Sequence, residues 1–312
     1  MSFAEKILML ETIEPSAEAL LASRYQLVHL SDPNVWTHAI EQGPFVALIT
    51  RGKGQVNQEL LDQLDGLQVA ARCGVGLDNF DLAACREKGI QVLNVPDATT
   101  IAVAEQALFF MLALVRDLPR LTQAVKEHNW DSRNQYRGND LFGQKLGLVG
   151  FGAIAARLAG QAASLGLEVS YWNHRPKPSN YRQVGLDELL ATNDIISLHI
   201  PLTSETRHFI GHRQLKAMRR GSYLINTARG AHVDHQALGE ALDSGQLAGY
   251  AADGFDPEAG DPDNHPLCQH PNVLITPHCA ALTKRTYQDM SMRIARSVIN
   301  AIDTNARVPQ ST

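Results

Sequence analysis

The stretch KLGLVGFGAIA, Lys145 to Ala155, decides how the rest of the chain is read. Lys145 to Gly150 is a short apolar run with the look of a strand, and a helical pattern sets in at Ile154. Between them stands Gly150-x-Gly152-x-x-Ala155. Gly150 permits a tight turn, Gly152 lets a pyrophosphate approach the backbone, and Ala155 is small enough for close helix–strand packing. The start of the helix adds free N–H groups and a positive dipole end, both of which favour a diphosphate. A glycine pair alone is a weak sign and fits an ordinary β–α turn. In this strand–turn–helix setting it predicts a dinucleotide site with Gly150, Gly152, Ala153 and Ile154 as contacts.

The next strand, Glu168 to Asn173, ends 23 residues after Gly150. An Asp or Glu at this point would bind a ribose 2′-hydroxyl and repel a 2′-phosphate. The chain has Asn173-His174-Arg175-Pro176-Lys177 instead. A neutral residue followed by cations predicts NADP(H) in preference to NAD(H). The plain alternative is a solvated basic loop. Further strands follow at Asp194–Pro201, Ser222–Thr227, Gly249–Asp253 and Asn272–Thr276, with helices at Ile154–Leu165, His212–Met218 and Asp234–Ser244. Upstream, a separate alternating series places strands at Lys6–Glu11, Tyr25–Leu30, Phe45–Thr50, Leu67–Gly74 and Gln91–Pro96. Helices lie there at Pro15–Ser23, Asn57–Leu64 and Asp81–Lys88, the last capped by Asp81 and stopped by Gly89. This βαβα alternation predicts α/β architecture with parallel sheets. Ala102–His128 is a long apolar helical stretch that Pro119 kinks or divides, and Leu282–Thr304 is a final helix.

Length supports two domains, since 312 residues is twice a domain of roughly 150. Hydrophobic residues at 44% are enough for substantial cores. A net charge of −5 argues against a nucleic-acid partner or an anionic membrane surface, which need concentrated Lys and Arg. The longest strongly apolar run, Ala107–Val115, is far short of the roughly 20 residues that span a bilayer. The start, MSFAEK, lacks a signal pattern. Cys73, Cys85, Cys268 and Cys279 form no Cys-x-x-Cys pair and read as reduced thiols. A cytoplasmic protein is expected.

Three more residues stand just after predicted strands, where open α/β sheets place their ligands. They are Arg229 in NTARG, Glu258 in DGFDPE and His278 in TPH. A cation, a carboxylate and an imidazole suit an anionic substrate and a moving proton. By itself His278 is one of twelve histidines and would more often be structural. The pairs His208/His212 and His232/His235 lack a third ligand, so no metal site is expected.

With these motifs in order, the chain resembles the D-isomer-specific 2-hydroxyacid dehydrogenases over nearly its whole length. The resemblance rests on GVGLDNFD (Gly74–Asp81), Val103-Ala104-Glu105, Gly150–Ala155, SLHIPLT (Ser197–Thr203), INTARG (Ile225–Gly230) and Thr276-Pro277-His278. It implies two Rossmann-like, doubly wound parallel-sheet domains with a cleft between them. Residues 1–98 and 281–312 would form a discontinuous substrate-binding domain, and 99–280 the dinucleotide-binding domain. It also implies a homodimer through the nucleotide domain, which would use the apolar helix from Ala102.

Carried over by motif, Arg229 would hold the substrate carboxylate and polarise the keto oxygen. His278 would be general acid in reduction and base in oxidation, with Glu258 holding its imidazole. Main-chain amides of Val75 and Gly76 would bind the substrate carboxylate, and Asp253 would meet the nicotinamide carboxamide. Val103, Pro201, Thr206, Thr227 and Ala228 would line the cofactor, with Asn173, His174 and Arg175 at its 2′ end. Arg51, after the third strand, could contact the far end of the acid, or could be a plain surface arginine. The chain departs from the family pattern at Ala153, at Cys279-Ala280-Ala281 and at Gln106. None of these removes a catalytic group, but they loosen the substrate assignment.

The expected activity is reduction of glyoxylate or hydroxypyruvate, a small anionic 2-keto acid, to the D-2-hydroxy acid. One alternative is an NAD-dependent D-3-phosphoglycerate dehydrogenase, for which Arg51 would meet the phosphate. No regulatory domain is expected after the last helix. A dinucleotide-sensing, corepressor-like binding protein is the alternative of another class. Such a sensor would not require Arg229, Glu258 and His278 together.

Overall fold

The computed structural model describes residues 5–30, 32, 36–256, 258 and 260–305. The chain divides into two compact units, Met1–Thr99 with Leu282–Thr312, and Thr100–Ala281. Each is an α/β structure built on one parallel sheet.

In the first unit the strands are β1 (Lys6–Met9), β2 (Gln26–His29), β3 (Ala47–Thr50), β4 (Val69–Arg72) and β5 (Gln91–Leu93). Their order in the sheet is β2-β1-β3-β4-β5. Alternation with period two explains why these strands read as continuous apolar runs. Ile7, Met9, Ala47, Ile49, Val69 and Ala71 face one core, which the helix Lys284–Asn305 closes with Met290, Ile294, Val298 and Ile302. Leu8, Leu48 and Ala70 face a second core with Phe45, Leu60 and Phe80. The first strand ends at Met9, not at Glu11 as expected. Glu11 turns instead toward the loop after β3, where its carboxylate accepts from Arg51 N at 2.9 Å and Lys53 N at 2.7 Å.

The second unit holds β6 (Lys145–Val149), β7 (Glu168–Trp172), β8 (Arg182–Gln183), β9 (Ile195–Leu198), β10 (Ser222–Asn226), β11 (Leu247–Asp253) and β12 (Val273–Thr276). The sheet order is β12-β11-β10-β9-β6-β7-β8, all parallel. The order reverses between β6 and β9, which is the switch point where such sheets bind dinucleotides. Leu146 and Leu148 pack on Ala107, Phe110 and Met111 of the helix Thr100–Val115 and on Ala155 and Leu158 of the helix Ala153–Ser164.

The expected long helix is two helices, Thr100–Val115 and Leu118–Lys126. The break lies at Asp117, which takes a left-handed φ of 49°. Pro119 sits in the first turn of the second helix, where no N–H is required. No helix among the described residues is long and apolar enough to cross a membrane.

Candidate active site

The glycine turn begins where β6 stops. Gly150 has a φ of +89°, and a Cβ there would lie 2.6 Å from the His199 carbonyl oxygen. Only glycine meets both conditions. Gly152 is the N-cap of the helix Ala153–Ser164 and has no side-chain cap. A Cβ placed on it would meet nothing within 4 Å, so the approach to the helix N-terminus is open. Between the glycines, Phe151 is buried with its ring 4.1 Å from that of Tyr171, which fixes the turn against β7.

Asn173 braces the same turn. Its Oδ1 accepts from Phe151 N at 3.2 Å, and its Nδ2 donates to Arg175 O at 2.8 Å. The side chains of His174, Arg175 and Lys177 are exposed beside it. On the other side of β6, His199 Nε2 lies 2.9 Å from Ser197 Oγ. Burial pushes the His199 imidazole down to about 4. An unfolded chain protonates this group near pH 6.5, while the folded chain keeps it neutral. Its contribution is therefore complete above pH 6.5 and is lost as the pH falls toward 4, by up to about 3 kcal/mol. His199→Asn should flatten the fall of melting temperature across that window relative to wild type. A parallel fall in both proteins would contradict this.

The residues expected to act on substrate follow the later strands. Asn226, almost wholly buried at the end of β10, accepts from Ala228 N at 3.0 Å and donates to Arg229 O at 2.7 Å. Its side chain thus shapes the turn that presents Arg229. Arg229 is half-buried, and its Nη1 donates to Ala228 O at 2.8 Å. The next residue, Gly230, lies against the backbone of Phe255 and Asp256. The turn bearing Arg229 and the turn after β11 are therefore in contact.

His278 stands two residues beyond β12 in a left-handed conformation, φ 55°. For a residue with a Cβ this costs on the order of 1 kcal/mol and must be held by its surroundings. Asp253 provides the hold. Its Oδ1 accepts from Thr276 Oγ1 at 2.6 Å and Cys279 N at 2.8 Å, and its Oδ2 accepts from Ala280 N at 2.8 Å. The imidazole lies over Gly254, where an added Cβ would come 3.0 Å from Nδ1. His278 itself is exposed. Glu258 is also exposed, and its Oε2 is 2.5 Å from Arg207 Nη2. The same guanidinium lies 3.1 Å from the buried Asp256.

The remaining expected residues divide by unit. Val103 and Thr227 are buried, and Thr227 Oγ1 has no hydrogen-bond partner. Thr206 Oγ1 donates to Pro201 O at 2.7 Å and ties that loop together. In the first unit, the carbonyls of Gly74, Val75 and Gly76 are taken by Val95 N, Asn94 Nδ2 and Arg72 Nε. No acceptor among the described residues takes the N–H of Val75 or Gly76. Arg51 is paired to Glu11 at 3.3 Å. Burial pushes the Cys73 thiol up, consistent with a packing role. No group of three or more His, Cys, Asp or Glu among the described residues could hold a metal ion.

Residues 108–280 match the family model described as D-isomer specific 2-hydroxyacid dehydrogenase, NAD binding domain. A hydroxypyruvate reductase of Thermotoga maritima is 35% identical over 260 residues, covering 82% of this chain and 84% of its own. The chain belongs to the D-isomer specific 2-hydroxyacid dehydrogenase family. A D-3-phosphoglycerate dehydrogenase of Archaeoglobus fulgidus is also 35% identical, over 261 residues and 82% of this chain but 49% of the relative. The chain spans about half the length of that relative and of others bearing the same name. The solved D-lactate dehydrogenase of Aquifex aeolicus, complexed with NAD and lactic acid, superposes with a TM-score of 0.87 at 27% identity, covering 97% of this chain and 96% of that one.

The residues of this dehydrogenase-family chain fit a dinucleotide. The open approach at Gly152, the uncapped helix N-terminus and the orphaned Thr227 hydroxyl all lie at C-terminal ends of strands in the second unit. Three residues of the site lie outside the sequence expectations: Asn226, whose signal is its place inside the INTARG motif, and Arg207 and Asp256, which carry no local signal beyond their charge.

Proposed function

We propose that the protein reduces a small 2-keto acid, glyoxylate or hydroxypyruvate, to the D-2-hydroxy acid with NADPH. The observation that supports this reading is that Arg229 and His278 follow the C-terminal ends of β10 and β12, the two strands that flank β11 in one parallel sheet, with Asp253 at the end of β11 holding the His278 loop. When bound, the nicotinamide supplies the hydride. Arg229 holds the substrate carboxylate and draws charge from the keto oxygen by charge-assisted hydrogen bonds. His278 donates a proton to that oxygen in reduction and removes it in oxidation. Glu258 steadies the imidazole after leaving Arg207, a small cost for so exposed an ion pair. Val75 and Gly76 offer free N–H groups to the substrate carboxylate. Gly150, Gly152, Ala153 and Ile154 cradle the diphosphate, with Val103, Pro201, Thr206, Thr227, Ala228 and Asp253 around the rest of the cofactor.

The preference for NADP(H) rests on neutral Asn173 and the exposed His174, Arg175 and Lys177. Asn173→Asp keeps an acceptor for Phe151 N and adds a charge that repels a 2′-phosphate. The ratio of kcat/KM for NADPH over NADH should fall by about tenfold or more. An unchanged ratio would remove this loop from cofactor choice.

A homodimer through the second unit is supported by Ile101, Phe109 and Leu112, which the helix Thr100–Val115 leaves exposed. A cytoplasmic setting agrees with four free cysteines. The second reading, an NAD-dependent D-3-phosphoglycerate dehydrogenase, is favoured by the relatives of that name. Initial rates with glyoxylate, hydroxypyruvate, 3-phosphohydroxypyruvate and longer 2-keto acids, each with NADPH and NADH, separate the two. Tight cofactor binding without turnover of any acid would point to a sensor.

A further inference from the structure

In the first unit the loop 51–54 leaves the C-terminal end of β3 beside β4. Successive N–H groups in such a loop make an anion-binding turn. Those groups are already taken. The Glu11 carboxylate, 8% exposed, accepts from Arg51 N at 2.9 Å and Lys53 N at 2.7 Å, and lies 3.1 Å from the Thr50 hydroxyl. Its Oε1 is 3.3 Å from Arg51 Nη2. The Arg51 guanidinium also lies 5.7 Å from the Tyr287 ring centre. A Cβ on Gly52 would fall on the Arg72 guanidinium, and Arg72 Nε donates to Gly76 O at 3.1 Å. The loop of Arg51 thus adjoins the loop whose N–H groups are assigned to the substrate carboxylate.

We propose that Glu11 is a built-in counter-anion: it neutralises Arg51 and fills the turn at 51–53, so that the protein selects 2-keto acids with short uncharged tails over those ending in phosphate or a second carboxylate. This deepens the reductase reading and rests on it. A phosphate tail reaching Arg51 would have to displace a carboxylate held by two N–H groups and an ion pair, or sit beside its charge. Either is unfavourable, because the first breaks those bonds and the second sets two negative charges side by side. Glu11→Gln keeps an acceptor oxygen for the loop but removes the negative charge, leaving Arg51 uncompensated. A residue that only propped the loop would alter all acids alike and leave tail preference unmoved.

The test measures kcat/KM of the full chain for hydroxypyruvate and for its 3-phosphate, with NADPH throughout. Wild type should favour hydroxypyruvate. In E11Q the ratio of phosphorylated to unphosphorylated acid should rise by about tenfold or more, through a lower KM for the phosphate, and adding R51A should reverse the gain. In case E11Q does not fold, R51A alone is informative. It should shift the ratio by less than about threefold, because the cation is already neutralised. The proposal is overturned by a folded E11Q that reduces hydroxypyruvate with an unmoved ratio, by a wild type that favours the phosphate, or by R51A alone lowering the ratio about tenfold. Failure of wild type to reduce any keto acid would instead remove the reductase reading, and this proposal with it.

Discussion

His278→Ala should lower the rate of keto-acid reduction by about three orders of magnitude, within the usual range for a positioned proton donor. The NADPH dissociation constant should change by less than about threefold, since His278 follows β12 and the glycine turn proposed for the diphosphate follows β6, a non-adjacent strand of the sheet. His278 occupies a left-handed position, and its loop is held by a buried carboxylate, Asp253, which accepts from Thr276 Oγ1, Cys279 N and Ala280 N. The imidazole nevertheless remains exposed. A structural histidine would be expected to bury its ring. A rate in H278A within about fivefold of wild type would take His278 out of the mechanism.

Asp253→Asn should act on the same loop from below. The amide keeps an acceptor for Thr276 Oγ1 and Cys279 N, but its NH2 faces the Ala280 N–H, donor against donor. Leaving that buried pair unsatisfied should cost on the order of 1–3 kcal/mol of stability. The larger effect is on turnover. A displacement of the imidazole by about 1 Å is enough for a loss of roughly 100-fold in kcat. If Asp253 serves chiefly to meet the nicotinamide carboxamide, the same variant would raise the NADPH dissociation constant and leave kcat at saturating NADPH near wild type. Kinetics, cofactor titration and thermal melts on one protein therefore separate positioning from cofactor contact.

Much of this was legible in sequence because the signals were local. Lys145–Ala155 holds strand, turn and helix start within eleven residues, and Gly150 and Gly152 are needed for reasons that involve only their own backbone and a neighbour. Arg229, Glu258 and His278 could be placed because each follows a strand that hydrophobic patterning reveals. Other features depend on contacts far apart in the chain. Glu11 reads as the last residue of an apolar strand, and nothing nearby shows that its carboxylate reaches Arg51 and Lys53, 40 and 42 residues on. Asp253 was visible as a site residue, yet its partners Cys279 and Ala280 lie 26 and 27 residues later. The division of the long apolar stretch was legible from Pro119, but its location at Asp117 was not, because there only the backbone changes hand. Strand β8 is two polar residues, Arg182 and Gln183, whose pairing with Ser170 and Tyr171 is set by the sheet edge rather than by hydrophobicity.

Reduction of a small 2-keto acid by hydride transfer, with the proton from His278, has a direct readout in its product. Incubation of the purified protein with NADPH and hydroxypyruvate, followed by chiral analysis of the product, tests it most directly. NADPH should be consumed in equal amount to the D-glycerate formed. NADPH that binds but is not consumed, with hydroxypyruvate or with glyoxylate, would contradict it.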